Sequence, residues 1–399
     1  MVHVNYRALA SDFQASFSKE ADRCFFSPGR VNLIGEQTDY CGGYVFPSAI
    51  NFGTYGLVSK RNDRTVRLFS KNYTKQGMIE FTLDELDYNP DQGWANYPKG
   101  LLQYFKKTGH PVNVGFDLLV SGNIPIGVGL ASSASLLLLT GKIINQLYDL
   151  QLTPLDIIKA GRAVETEYIG VYSGIMDHFA VAMGKNNHGI LLDCHDLSHE
   201  YVPIDLNNHK ICIMNTNKKP DGQADSLYKE RLDECEHALR HLQGAINILS
   251  LGDLNLAQFD NFKHLIPTNT LRKRARHVVS ENQRTLAAIK ELKRGNLAGF
   301  GKQMNRSHLS LRKDYEVTGV ELDTLVEASW QQNGVIGARM MGSGLGGRAL
   351  AIAIVEENEM DQFIERVSEI YSAKIGHAAT FYTATIGDGV KELNAAVFK

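Results

Sequence analysis

One stretch limits the possible folds more than any other. From Ser27 to Pro47 the chain reads SPGRVNLIGEQTDYCGGYVFP, and its only charged residues are Arg30, Glu36 and Asp39. The apolar residues around them belong in a core, yet a buried charge is costly unless it is paired and hydrogen-bonded. A fold that buries this segment must bring partners to three charged groups, or set them at the edge of a site that uses them. The plain alternative is a structural ion pair stapling a loop.

Two glycine loops offer such a site. The segment VGFDLLVSGNIPIGVGLASSASLLLLTGK predicts strand, glycine loop, helix. Gly127 and Gly129 let the backbone approach a ligand closely, and Ser132 or Ser133 falls where a helix N-cap is expected. A helix start presents free N–H groups and a positive dipole end, which suits an anion. No Walker A sequence is present, and a serine-capped core helix would leave the same trace. In ARMMGSGLGGRALAIA, Gly342, Gly344 and Gly347 spell G-x-G-x-x-G. A dinucleotide fingerprint needs a strand before the glycines and a helix after them. Here the helix, ELDTLVEASWQQNG, is expected before and the strand after, so that reading fails. A flexible loop remains, able to pass beside a substrate or the first glycine loop.

Between the loops, Asp177 is an isolated carboxylate in GIMDHFAVAMG, and Glu165 lies on an expected helix upstream. Beside phosphate-type loops, two such acids suggest a magnesium ligand and a substrate-side base, because Mg²⁺ favours one or two carboxylates plus phosphates. Alone, each could be an ordinary paired or exposed acid; taken with the loops, the pattern suggests a nucleotide-dependent enzyme.

A chain of 399 residues exceeds what one core usually serves, so two domains are expected, 1–200 and 201–399, with a boundary uncertain by tens of residues. Strand-like runs (RTVRLFS, VNVGFDLLVSG, HGILLDC) share the first half with helices. The pattern is mostly helical from Ser226 to about Trp330, then returns to strands in RALAIAIVEE and ATFYTATIGDG. Such segregation implies an α+β fold. A net charge of −2 gives no general pull toward nucleic acid or membrane. The basic run LRKRARH lacks interleaved aromatics and is expected to be a solvated helix face. No secretory leader is visible, and the run LLLLTGKII is too short to span a bilayer. Five scattered cysteines without C-x-x-C fit a reducing cytosol, and Cys194, His195 and His199 lack the helix a zinc motif needs.

The motifs together carry a resemblance. PGRVNLIGEQTDYCGGYVFP is similar to the signature of galactokinases, members of the GHMP small-molecule kinase family. PIGVGLASSA matches the family's P-x-x-G-x-G-L-x-S-S-A motif and MGSGLGG its third glycine loop, formed here by Gly342, Ser343, Gly344, Gly346 and Gly347. WANYPKG, GIMDHF, NTNKKPDGQADSLYKER, RARHVVSEN and SHLSLRKDYEVTGVELDTLV extend the likeness over nearly the whole chain. It implies a two-lobed GHMP kinase fold: an N-terminal ribosomal-S5-like lobe and a C-terminal ferredoxin-like lobe with added helices. It also implies phosphoryl transfer from MgATP to the C1 hydroxyl of α-D-galactose. Gly127, Val128, Gly129, Leu130, Ala131, Ser132, Ser133 and Ala134 would cradle the phosphates, with Ser132 or Ser133 and Glu165 near Mg²⁺. Glu36, Gln37, Asp39, Gly174, Asp177 and Tyr228 would contact the sugar, and Arg30 and Asp177 would be catalytic. With Arg30 beside it, Asp177 is expected to orient the hydroxyl as much as deprotonate it. A monomer acting on sugar and MgATP, in the cytoplasm, with neither nucleic acid nor membrane as partner, completes the expectation.

The chain departs from the family pattern G-E-H-T-D-Y-N-G-G at two positions, where Gln37 and Cys41 replace histidine and asparagine. Tyr172 and His178 stand where asparagine and glutamine are frequent, and Arg348 where a small residue is usual. A shifted or relaxed sugar preference, toward an amino or deoxy galactose analogue, is one alternative. A sensor that binds sugar and ATP without turnover is another. The adenine pocket has no motif; FSKN and the GWANYPKG neighbourhood are its candidates.

Overall fold

The computed structural model describes residues 5–125, 129–171, 173–218, 224–344 and 349–394. Runs rich in β-branched and aromatic residues form strands: β1 (Arg23–Asn32), β2 (Tyr44–Val45), β3 (Pro47–Lys60), β4 (Thr65–Ser70), β5 (Ile79–Thr82), β6 (Phe116–Gly122), β7 (His188–Asp193), β8 (His199–Pro203), β9 (His209–Asn215), β10 (Val335–Gly342), β11 (Ala349–Glu356), β12 (Thr380–Ala384) and β13 (Lys391–Leu393). Apolar residues at helical spacing give α1 (Tyr6–Phe17), α2 (Asn96–Lys107), α3 (Ser132–Tyr148), α4 (Pro154–Ala163), α5 (Met176–Met183), α6 (Ala224–Gln243), α7 (Leu256–Phe262), α8 (Asn269–Lys293), α9 (Leu297–Ser310), α10 (Gly319–Trp330) and α11 (Met360–Ile375).

Among the described residues the strands make three sheets, ordered β13-β1-β3-β6-β4-β5, β10-β11-β9-β12 and β2-β7-β8. The first sheet and helices α2 to α5 enclose one core, centred on residues such as Phe116, Leu138 and Ile158. The second sheet packs helices α6, α8, α10 and α11 around Met214, Tyr315 and Leu325. A third core joins the two halves, with Val31, Leu33, Phe46 and Leu130 meeting Ile211, Phe300, Met304 and Ile352.

Several expectations are corrected. The third glycine loop is preceded directly by a strand, β10, hydrogen-bonded antiparallel to β11. Its glycines and methionines, with a lone arginine, gave no alternating pattern, and the dinucleotide reading still fails because β11 and not a helix follows. The last strand, β13, leaves the second half and pairs with β1. Within the basic run, Arg274 and His277 are buried. Arg274 reaches Glu234 and Glu316 at 2.8 and 2.9 Å, so the run is only partly a solvated face. His199 of the doubtful metal segment lies on β8 with its ring against Phe179.

Candidate active site

The strand β1 slips its register between Pro28 and Arg30, a bulge that tolerates the proline and re-aims the next side chain. Gly29 is needed there because a Cβ would stand 2.7 Å from the Leu130 carbonyl oxygen. The closeness lets Arg30 N–H donate to Leu130 O at 3.2 Å and Arg30 Nη1 donate to Gly129 O at 2.8 Å. The other edge of the guanidinium, Nε and Nη2, holds the Asp177 carboxylate at 2.7 and 2.8 Å. Such a fork is the strong, orientation-fixing form of the pair. Asp177 sits in the first turn of α5, where the helix dipole favours a carboxylate. Both residues line a cleft of about 450 Å³.

Glu36 and its neighbours form the sugar-signature wall. Glu36, 3% exposed, accepts from Arg339 Nη2 at 2.7 Å and from the Gly342 N–H at 3.2 Å. Burial pushes its carboxyl upward, opposed by the charges of Arg339 and Arg30. The backbone of this loop is gripped from behind by α8. Glu281 accepts the N–H groups of Gly35 and Glu36 at 3.0 and 3.1 Å, and His277 Nε2 lies 3.0 Å from Glu36 O. Burial works against the Glu281 charge, yet Arg284, His277 and Arg339 hold its carboxyl down to about 2. The word RARHVVSEN is thus the clamp of the signature loop.

Asp39 also lines the cleft, and its carboxyl is raised to about 7 by burial, then by the charges of Asp177 and Glu36. A Cβ on Gly174 would fall 1.6 Å from Asp39 Oδ2, so only glycine lets this carboxylate sit where it does. Tyr228, on α6, closes the same wall with its ring edge-on to Tyr40 at 5.1 Å.

Opposite stands the start of α3. Its N-cap is Ala131, in a left-handed conformation and without a side-chain cap, which corrects the expected serine cap. Ser132 and Ser133 are instead the first two helical residues, and both line the cleft, their hydroxyls not being required as caps. Gly129 and Ala131 line the cleft, whereas Leu130 and Ala134, expected in the phosphate cradle, are buried in the apolar cores and do not line it; Gly127 and Val128 lie outside the described residues. Glu165 is in a π-helical turn, Val164–Ile169, a wider turn frequent at functional sites. Its carboxylate makes no hydrogen bond among the described residues, and its one ionisable partner is His178 Nε2 at 3.4 Å. A buried carboxylate that lines the same cleft as two serine hydroxyls supplies the hard oxygen donors that a divalent cation takes. In the third glycine loop Gly342 and Ser343 line the cleft and Gly344 packs on Val317. Gly346, Gly347 and Arg348 lie outside the described residues, as does Tyr172.

The same motifs are found by comparison with known proteins. Residues 11–60 match the galactokinase galactose-binding signature, 96–185 the GHMP kinases N terminal domain and 288–373 the GHMP kinases C terminal domain. A curated galactokinase from Ligilactobacillus salivarius is 49% identical over 387 residues, covering 97% of this chain and 99% of that protein. The chain belongs to the galactokinase family of GHMP kinases. The crystal structure of Lactococcus lactis galactokinase complexed with galactose superposes with a TM-score of 0.92 at 46% identity, covering 97% of this chain and 99% of that one. The Methanococcus jannaschii mevalonate kinase, at 20% identity and a TM-score of 0.62 over 92% and 98% of the two chains, shares the fold.

Against the galactokinase pattern, Gln37 is the most informative departure. Its backbone is left-handed, with φ of 62°. Its Nε2 donates to Gly342 O at 2.9 Å, and its Oε1 accepts from Tyr40 Oη at 2.6 Å. The amide latches the signature loop to the third glycine loop, with one N–H and one lone pair left over for a sugar hydroxyl. Cys41 packs in the second core against Cys235, away from the cleft. His178 is fully buried beside Glu165.

A second cavity, of about 180 Å³, adjoins the cleft through Tyr73, Tyr97, Ser132 and Ser133 and is walled by Ser70, Asn72 and Trp94. The candidate segments FSKN and GWANYPKG therefore converge in space. Sequence reasoning missed Arg339, Glu281 and Tyr40. An arginine in the otherwise uncharged run VIGARMMG was the only trace of the first.

Proposed function

We propose that the chain transfers the γ-phosphoryl group of ATP to the C1 hydroxyl of α-D-galactose, giving galactose 1-phosphate, the first committed step of galactose use. The Arg30–Asp177 pair carries this reading: it stands where the serine-bearing loop and the sugar-signature loop meet, in a chain about half identical to curated galactokinases. The division near residue 200 gives an N-terminal and a C-terminal lobe, with β13 returning to the first. The protein acts as a monomer in the cytoplasm, where its scattered free thiols fit a reducing environment.

Each group then has a task. Glu36, Asp39, Gly174 and Tyr228 bind the sugar, with Gln37 holding the wall behind it. The uncapped start of α3 takes the phosphates, and the cavity with Trp94 and Tyr97 takes the adenine. Bound Mg²⁺, held by Glu165 and Ser132 or Ser133, would neutralise phosphate charge. Asp177 orients the C1 hydroxyl and accepts its proton as the oxygen bonds to the γ-phosphorus and the bond to ADP breaks. Arg30 balances the charge that spreads over the transferring group. Positioning and charge stabilisation of this kind are most of what phosphoryl transfer needs.

The test is ADP release from the purified chain with MgATP across galactose, 2-deoxygalactose, galactosamine, N-acetylgalactosamine, glucose and mannose, with Gln37→His in parallel. Fastest turnover is expected with galactose and none with glucose or mannose. Preference for an amino or deoxy analogue would make Gln37 and its neighbours a different specificity code. Binding without turnover would make the protein a sensor.

Asp39 gives a pH signature. Its raised value means that the folded protein favours the protonated form; the stability this contributes is present in acid and lost as the pH rises through about 7. Sugar recognition uses the other form, the carboxylate that accepts from hydroxyls. The galactose KM is therefore expected to fall as the pH rises from 6 to 8, and Asp39→Asn to flatten the profile. A wild-type KM that does not change over that window would remove Asp39 from sugar recognition.

A further inference from the structure

An open groove of about 620 Å³ lies between α8 and α9 and shares no lining residue with the cleft. Arg276, Arg284, Arg306 and Lys313 converge on it, with Asp314 the one carboxylate in the lining. Among the described residues Arg306 and Lys313 make no hydrogen bond or ion pair. Arg284 pairs through Nε with Glu281 at 2.7 Å, while its Nη2 is buried without a partner. Like charges gathered around one cavity repel, and an unpaired buried donor carries a desolvation cost. Both penalties vanish if an anion enters, and guanidinium forks match phosphate oxygens.

The walls of this cavity are also the back of the sugar site. Arg284 neutralises Glu281, which accepts the Gly35 and Glu36 N–H groups and the Ser307 hydroxyl. Ser310 lies 3.0 Å from His277 Nδ1, and His277 Nε2 reaches Glu36 O. We propose that this groove binds the phosphate groups of a small phosphorylated molecule, and that its occupation draws Arg284 from Glu281 and so loosens the signature loop and weakens sugar binding. The coupling rests on the galactose reading of that loop; the binding does not.

The probe is pyrophosphate at fixed free Mg²⁺. It is titrated calorimetrically into the full chain saturated with galactose and adenylyl-imidodiphosphate, so that the cleft is filled. One pyrophosphate per chain is expected. The double variant Arg306→Gln/Lys313→Gln, altered at two exposed and unpaired positions, should bind it about tenfold more weakly. At saturating MgATP, pyrophosphate should raise the wild-type galactose KM about fivefold with kcat unchanged, and leave the double variant unaffected. No binding, or equal binding by the variant, overturns the site. Binding with an unmoved galactose KM overturns the coupling alone. A chain that binds pyrophosphate here yet turns over no sugar would separate this site from the kinase reading.

Discussion

Replacing Asp177 by asparagine is expected to lower kcat by about 10²–10⁴-fold, the usual worth of a positioned proton acceptor. Galactose and ATP-analogue affinities should stay within a few-fold of wild type. The separation follows from geometry. Asp177 is held by two parallel bonds from Arg30, at 2.7 and 2.8 Å, and asparagine keeps the shape and one acceptor while losing the charge and the proton-accepting oxygen. The other proposed sugar partners, Glu36, Asp39 and Tyr228, belong to other elements and keep their positions, while the Asp39 carboxyl is freed of the upward push from the Asp177 charge. Single-turnover phosphoryl transfer beside calorimetric binding separates the two effects. A variant with near-normal kcat would take Asp177 out of the chemistry and leave Arg30 and the phosphate loop as the catalytic core.

The second large effect is on stability. Arg339 is 0% exposed, and its Nη2 and Nη1 reach Glu36 Oε2 and Asn32 O, each at 2.7 Å. Arg339→Met roughly keeps the volume and removes the charge, so Glu36 is left as a buried carboxylate without its paired charge, with only the Gly342 N–H and the more distant Arg30 in its favour. Breaking one side of such a pair costs about 3–5 kcal/mol. Urea unfolding of the variant should show that loss, and the companion Glu36→Gln/Arg339→Met should recover part of it, because the surviving partner no longer carries charge. A loss below about 1 kcal/mol, the worth of an exposed pair, would mean that solvent reaches the pair. The galactose KM should rise in the single variant as well, since Glu36 orients both the signature loop and Gly342.

Much of the site was legible because its signals are local. A glycine-serine loop ahead of an apolar helix, an isolated acid in GIMDHF and three charges in a hydrophobic signature each stand out within a few residues, and residues of all three line one cleft. The same holds for α4, where Thr153, Pro154 and Asp156 make a capping box with proline at the first turn. Local signals failed where a residue's conformation answers to its surroundings. Serine is a favoured cap, so Ser132 or Ser133 was the natural expectation, yet Ala131 turns left-handed and takes the place. Had a serine capped the helix, its oxygen would occupy a backbone donor that the phosphates can use.

What the sequence determined by itself was the chemistry on offer: which groups could hold phosphate, metal and sugar, and in what chain order. The tertiary structure alone decided their partners. Arg339 meets Glu36 across 303 residues and Glu281 meets the same loop across 245, because β1 and β10 lie close together and α8 packs against β2 at the end of that loop. Periodicity, capping and turn chemistry act over a turn or two of chain. The partner of a buried charge depends instead on which strands and helices the shared apolar core brings side by side, and no short stretch of sequence carries that information.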